Sequence, residues 1–287
     1  SEAPPLVIDG RMYLAQPNGV FALESESGKL IWKLSAPGAA IRGLAYWPGD
    51  QRSSPRLFVG ILDKLVAIDA STGVRAREFG VAGEVNLKKG VLGDLHDGRF
   101  LLNSPPAIYK NIVITGGANG EGSPSLGTYG DIRAWNARTG DLVWTFHTVP
   151  REGEPGNETW PRGGWRNRSG TNTWGFFTVD TERGLLFAPT GSPTSDDYGA
   201  DRHGDNLYGN SLLALEASTG RLRWYRQLVH HDLWDYDLAA APALIEIAKD
   251  GRKIPAVAQM TKMGLLFLFN RVTGEPLFGL EERTVPK

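Results

Sequence analysis

One seven-residue pattern recurs five times in this chain: Ala22-Leu-Glu-Ser-Glu-Ser-Gly28, Ala67-Ile-Asp-Ala-Ser-Thr-Gly73, Ala134-Trp-Asn-Ala-Arg-Thr-Gly140, Ala214-Leu-Glu-Ala-Ser-Thr-Gly220 and Leu268-Phe-Asn-Arg-Val-Thr-Gly274. Each copy follows an apolar, strand-like run and leads into another. The third residue, Asp, Glu or Asn, accepts hydrogen bonds from turn amides, and the glycine supplies the positive φ that returns the chain into a hairpin. Trp32, Trp144 and Trp224 stand at the same offset after three copies, and Phe278 takes that place after the fifth. A large flat apolar side chain there predicts packing between neighbouring sheets. The glycines lie 45, 67, 80 and 54 residues apart. A four-stranded propeller blade takes about 40–50 residues. The pattern therefore predicts an all-β chain, a β-propeller of four-stranded antiparallel blades with about five blades or fewer. Residues 1–287 read as one propeller segment whose longer intervals hold loop insertions near 149–173 and 189–210. Both are rich in Gly, Pro, Asn, Asp and Arg, and long loops of this kind are more often functional than decorative.

Composition supports a packed core and narrows the function classes. Hydrophobic residues make up 41% of the chain, and 36 glycines with nine tryptophans suit tight turns between strands. The net charge is −1 with no dense basic run, so nothing favours a nucleic-acid partner. There is no cysteine, which excludes structural disulfides, iron–sulfur ligation and a thiol nucleophile. No apolar run approaches the roughly 18–20 residues of a membrane helix. The longest, Leu265 to Phe269, predicts a buried strand. The opening Ser-Glu-Ala-Pro-Pro shows no basic region followed by an apolar stretch, so no signal peptide is expected.

Four places could carry chemistry. His230-His231-Asp232-Leu233-Trp234-Asp235-Tyr236-Asp237 is the densest titratable cluster. In an extended segment Asp235 and Asp237 share a face, while His231 and Asp232 point oppositely. The segment reads as a His/Asp metal site, as a carboxylate base beside an aromatic wall, or as a polar loop satisfying its own backbone. A zinc hydrolase built on His230, His231 and Asp235 is one version of the first. Gly170-Thr-Asn-Thr-Trp174-Gly175 offers a flat stacking platform or a tryptophan closing a blade. Gly116-Gly-Ala-Asn-Gly-Glu121-Gly places a carboxylate in a turn whose glycines would let a ligand approach the backbone. Lys262, in Met260-Thr-Lys-Met-Gly264, sits at the mouth of the most apolar strand, where a cation is usually just solvated.

Together, Arg42-Gly-Leu-Ala-Tyr-Trp47, Asn103-Ser-Pro-Pro106, Gly116 to Glu121, Gly170 to Gly175, His230 to Asp237 and Lys262 resemble the quinoprotein dehydrogenases that use pyrroloquinoline quinone. The resemblance is nearest the membrane glucose dehydrogenase branch, and the 27-residue Asp235–Lys262 spacing also looks like that branch. It implies an eight-bladed propeller when complete, with the cofactor on its axis. It implies Trp174 as the stacking platform for the flat tricyclic quinone, with Arg42 facing its carboxylates. Asn103, Ser104 and Asn172 would bind its edge, and Lys262 would donate to its reactive carbonyl. Asp235 matches the general base that takes a hydroxyl proton while a hydride passes to the quinone. A Ca²⁺ or Mg²⁺ ion would be held at Glu121 and Ser192. The implied substrate is a sugar or alcohol, the implied acceptor a quinone or separate electron carrier, and the implied location the periplasm or the outer face of the cytoplasmic membrane.

The chain departs from that pattern in places. It lacks the vicinal cysteines of the alcohol branch, and Ser192 stands where the family has a metal-binding asparagine. Gly38-Ala-Ala-Ile41 lacks the histidine that the glucose branch uses near its substrate. Five signatures fall short of eight blades. The chain therefore reads as a segment of a longer protein, or as one that closes its ring with missing blades or a partner chain. The rival class is a non-catalytic propeller scaffold that binds peptides or proteins.

Overall fold

The computed structural model describes residues 4–120, 126–249 and 251–284. Among them the chain forms five antiparallel sheets in sequence order, and the only helical element is a 3₁₀ turn at Asn157–Thr159. The first sheet is β1 (Leu6–Ile8), β2 (Arg11–Gln16), β3 (Gly19–Glu24) and β4 (Leu30–Ser35). The second is β5 (Ala45–Trp47), β6 (Arg56–Ile61), β7 (Lys64–Asp69) and β8 (Glu84–Asn86). The third is β9 (Ala107–Tyr109), β10 (Ile112–Thr115), β11 (Ile132–Asn136) and β12 (Leu142–Phe146). The fourth is β13 (Thr178–Asp180), β14 (Leu185–Pro189), β15 (Ser211–Glu216) and β16 (Leu222–Gln227). The fifth has β17 (Ala243–Lys249), β18 (Arg252–Met260) and β19 (Leu266–Asn270). Each is a simple meander, the blade geometry that the repeat predicts.

The repeated turn closes each blade from its third strand. The glycine amide donates to the carbonyl of the third motif residue in all five copies, at 2.8–2.9 Å: Glu24, Asp69, Asn136, Glu216 and Asn270. The five glycines have φ between 71° and 76°. Where the third residue is Asp or Asn, its side chain accepts turn amides as expected; Asp69 Oδ1 takes Ser71 N at 3.0 Å and Thr72 N at 2.9 Å. The longer glutamates bond the hydroxyl instead, as Thr219 does to Glu216 at 2.8 Å.

The tryptophans after the motif join one blade to the next. Trp32, Trp144 and Trp224 donate from Nε1 to Ala70, Ala217 and Arg271 carbonyls, each at 3.1 Å. Each acceptor is the fourth motif residue of the following blade. Each indole also covers that blade's motif glycine: a Cβ on Gly73, Gly220 or Gly274 would lie 2.5–2.6 Å from the ring of Trp32, Trp144 or Trp224. The second blade has no tryptophan after its motif, and the fully buried Arg56 of β6 does the work, donating to Ala137 and Arg138 carbonyls at 2.8 and 2.7 Å. Apolar clusters bridge successive sheets in the same way; Trp32 and Val20 of the first pack with Leu57, Val59 and Ile68 of the second.

Two expectations fail at the last sheet. Leu265 and Leu266 are half-exposed rather than buried, and Phe278, in the aromatic position of the fifth copy, is 57% exposed. Among the described residues no sheet packs beyond β17–β19, so these side chains have no neighbouring blade to enter.

Gly28 and Gly220 have similar φ, 71° and 74°, but a Cβ on Gly28 meets nothing within 4 Å. Gly28→Ala should therefore cost only the strain of a left-handed alanine, about 1 kcal/mol. Gly220→Ala should cost about 1–3 kcal/mol more, because it must displace Trp144. Equal losses in urea denaturation would contradict the docking role of the indole.

Candidate functional site

Antiparallel meandering puts the repeated turns at one end of every blade and the blade-to-blade links at the other, together with the hairpins between second and third strands. The sequence-predicted site residues that are described belong to that second end. Arg42 lies in the β4–β5 link, Asn103 and Ser104 in β8–β9, Trp174 in β12–β13, and Asp235 in β16–β17. Ser192 lies between β14 and β15, and Lys262 between β18 and β19. The two insertions lie there as well and hold each other. Trp160 donates to the Leu207 carbonyl at 2.5 Å, and Arg168 donates to the Thr194 carbonyl and to Asp201, both at 2.9 Å.

Trp174 is placed by backbone docking. Its carbonyl accepts the Ser104 hydroxyl at 2.6 Å, and the preceding Thr173 carbonyl accepts Gly117 N at 3.1 Å. A Cβ on Gly116 would lie 2.1 Å from that carbonyl, and one on Gly117 would lie 2.3 Å from the Phe100 ring. These glycines thus make room for the protein's own chain, where the sequence suggested room for a ligand. The buried Asn172 fixes the same contact by donating to the Gly117 carbonyl at 2.8 Å. The indole is left half-buried. The Arg42 guanidinium carbon is 5.0 Å from the ring centroid and Lys262 Nζ is 6.0 Å away. The Arg42 amide donates to the Asn103 carbonyl at 3.3 Å, which ties two links together.

Lys262 bridges two carboxylates, donating to Asp235 Oδ2 at 2.8 Å and to Asp237 Oδ2 at 3.0 Å. The segment holding these aspartates is a chain of bends, with His231 and Asp235 at φ 48° and 54°, rather than an extended strand. Asp235 and Asp237 nonetheless reach the same ammonium. The two differ in exposure: the Asp235 side chain is half-exposed, and that of Asp237 is 5% exposed. Partial burial, reinforced by the negative charge of Asp237, holds the Asp235 carboxyl above the ordinary carboxylate range against the opposing hydrogen bond from Lys262. Burial works against the Lys262 charge as well, but its two carboxylate partners outweigh it and raise its pKa.

Asp232 anchors the bend. Buried beneath it, Asp232 accepts the Ser192 hydroxyl at 2.6 Å and Asn210 Nδ2 at 2.9 Å. Its own loop supplies the amides of Trp234 at 3.0 Å and Tyr236 at 2.7 Å. Ser192 thus donates its hydroxyl to Asp232 and its amide, at 2.6 Å, to Asp237 Oδ1. The histidines turn to other partners: His230 pairs with Glu282 at 2.6 Å and His231 with the Gly204 carbonyl at 2.9 Å. Among the described residues no three His, Cys, Asp or Glu side chains gather to hold a metal. Glu121 lies outside the described residues.

The site therefore joins a partly open indole face, two cations over it, and a half-exposed carboxylate paired to one of them. Asp237 is the contributor that sequence reading left without a role. Its shared face with Asp235 was visible, but its contact with Trp174, whose Nε1 donates to Asp237 Oδ2 at 3.1 Å, joins residues 63 apart and leaves no local signal.

Comparison with known proteins places the chain in a family. Residues 1–287 match the family described as "PQQ: Glucose/ethanol/alcohol dehydrogenase, beta-propeller domain". The chain belongs to that family, whose members are oxidoreductases named for pyrroloquinoline quinone. The chain is 34% identical to the quinate/shikimate dehydrogenase (quinone) of Acinetobacter baylyi, over 98% of this chain and 38% of the relative. It is 30% identical to the quinoprotein glucose dehydrogenase of Escherichia coli, over 100% of this chain and 38% of the relative. Its fold superposes on the quinohemoprotein alcohol dehydrogenase ADHIIG of Pseudomonas putida with a TM-score of 0.82 at 30% identity, covering 96% of this chain and 41% of that one. The chain thus spans about two fifths of the length of these relatives.

Asp232→Ala would leave four donors facing a void, and we expect it to cost about 3 kcal/mol or more in urea denaturation. Asp235→Ala removes a half-exposed partner and should cost under about 1 kcal/mol. A reversed order would show that the bend is held from Asp235.

Proposed function

We propose that this chain is the cofactor-binding part of a pyrroloquinoline quinone-dependent dehydrogenase that oxidises a hydroxyl of a sugar, polyol or other alcohol. The carrying observation is the joining of Trp174, Arg42, Lys262 and Asp235 at one end of the propeller, from loops 27 to 220 residues apart in sequence. A flat, tricyclic ortho-quinone with three carboxylates suits an open indole face with two cations above it. Trp174 would be its floor, Arg42 and Lys262 its charge partners, and Asn103 and Ser104 neighbours at its edge. When bound, this group supplies a two-electron acceptor for hydride.

The chain's own residues supply the proton chemistry. Asp235 is half-exposed, so a substrate hydroxyl can reach it. Held above its ordinary value by partial burial and the neighbouring Asp237 charge, it is a stronger base than a free aspartate. Asp235 would take the O–H proton as the substrate becomes a carbonyl, and the bound cofactor would supply the acceptor for the C–H hydride. Lys262, kept protonated by its two carboxylates, stays a donor throughout.

The described residues fit a divalent ion less well. Ser192 is engaged by Asp232, Asn210 and Asp237, and the Asp235–Asp237 pair already holds Lys262. Glu121 remains the proposed ligand for Ca²⁺ or Mg²⁺, and no step is routed through the metal. The relatives named for quinate, glycerol, glucose and alcohol all act on hydroxyl substrates, which supports the substrate class. A quinone or a separate carrier is the proposed electron acceptor and the periplasmic side of the membrane the proposed location. No helix among the described residues is long and apolar enough to cross a membrane. A peptide-binding scaffold would have no use for the Asp235–Lys262 pair.

In the full-length polypeptide loaded with pyrroloquinoline quinone, Asp235→Asn should lower kcat by roughly 10²–10⁴-fold in a dye-reduction assay. Cofactor affinity should stay within about threefold, since the residue contributes little to the platform. Full activity in the variant would remove Asp235 from the mechanism.

A further inference from the structure

We infer that Asp237 is a positioning residue for the cofactor, aligning the indole of Trp174 and the ammonium of Lys262 as one unit. The inference rests on the proposed function and assigns to this chain the residue that makes its platform rigid.

Three elements converge on this one buried side chain. Oδ2 accepts Trp174 Nε1 at 3.1 Å, from the link before the fourth blade, and Lys262 Nζ at 3.0 Å, from a hairpin of the fifth. Oδ1 accepts the Ser192 amide at 2.6 Å, from a hairpin of the fourth. Gly191 clears the space, since a Cβ there would lie 2.7 Å from Asp237 Oδ1. All three partners are donors, so the position demands acceptors on both oxygens. Only a carboxylate of this length meets that demand. An asparagine would turn its NH₂ either toward the Ser192 amide or toward Trp174 and Lys262, and one side would lose its partner. Asp235, by contrast, contacts Lys262 alone among these groups and is half open to solvent. The carboxylates thus divide the work: Asp235 faces outward with its proton-accepting oxygens, and Asp237 faces inward and fixes the ring and the cation over which the cofactor would lie. An indole can rotate about two side-chain bonds, so losing the hydrogen bond at its Nε1 frees the plane of the platform.

The test uses the full-length polypeptide and two readouts. Without cofactor, ultraviolet resonance Raman reports hydrogen bonding at indole N–H groups. The band lost in Trp174→Phe should shift toward the unbonded position in Asp237→Asn, and also in Gly191→Ala, which crowds the carboxylate without deleting it. With pyrroloquinoline quinone, Kd from fluorescence quenching should rise at least 10-fold in Asp237→Asn. The double variant with Trp174→Phe should fall within threefold of the weaker single variant, because residues acting as a unit are not additive. An unshifted indole band, wild-type Kd in Asp237→Asn, or multiplicative losses in the double variant would overturn the inference. Failure of the wild type to bind the quinone would instead overturn the proposed function, and the Raman band alone would then decide whether Asp237 anchors Trp174.

Discussion

The docking of one blade's tryptophan onto the next blade's turn glycine is the contact on which this architecture depends. It combines an apolar surface worth several kcal/mol if truncated with a hydrogen bond that satisfies a turn carbonyl. It also needs a residue without Cβ at a position that already demands positive φ. At Gly73, Gly220 and Gly274 one glycine therefore serves two constraints, the turn and the inter-blade contact. The exception is instructive. Between the second and third blades a buried arginine, Arg56, reaches the same carbonyl from a different strand, so the acceptor is kept and only the donor changes. Glu78 pairs with that arginine at its outer edge.

This scaffold explains where the chemistry sits. The repeated turns occupy one end of the blades, so the opposite end is free to vary, and the links and long insertions gather there. Each link contributes one or two side chains, and the site exists only because consecutive blades hold their links at fixed angles. Trp174 and Lys262 meet through Asp237, Arg42 meets Trp174 across two blades, and the two insertions lock against each other through Trp160 and Arg168. A shift in any inter-blade contact would be felt as misalignment at the platform.

The architecture was legible because its signal is periodic and local: seven residues fix a turn, and their spacing fixes a blade. Arg42, Trp174, Asp235 and Lys262 were legible as family likeness, and the structure brings them together. Asn172 and Ser192 lie in the same region but face their own backbone and the Asp232 bend. The glycines at 116 and 117 are used by Thr173 and Phe100. What stayed hidden was pairing at long range. Nothing near Asp237 announces an indole 63 residues earlier in the chain, and nothing near Arg56 marks it as a substitute for tryptophan. Leu265 and Leu266 are exposed despite the apolar strand they open, because the fifth sheet has no neighbour beyond it among the described residues.

The account stands on the claim that the Trp174 face, flanked by Arg42 and Lys262, is the cofactor platform. A crystal structure of the full-length protein soaked with pyrroloquinoline quinone tests it most directly. The account predicts the tricyclic ring parallel to the indole of Trp174, with its carboxylates toward Arg42 and a carbonyl oxygen within hydrogen-bonding distance of Lys262. A quinone bound elsewhere on the propeller, or an ordered structure with that face empty at saturating cofactor, would contradict it.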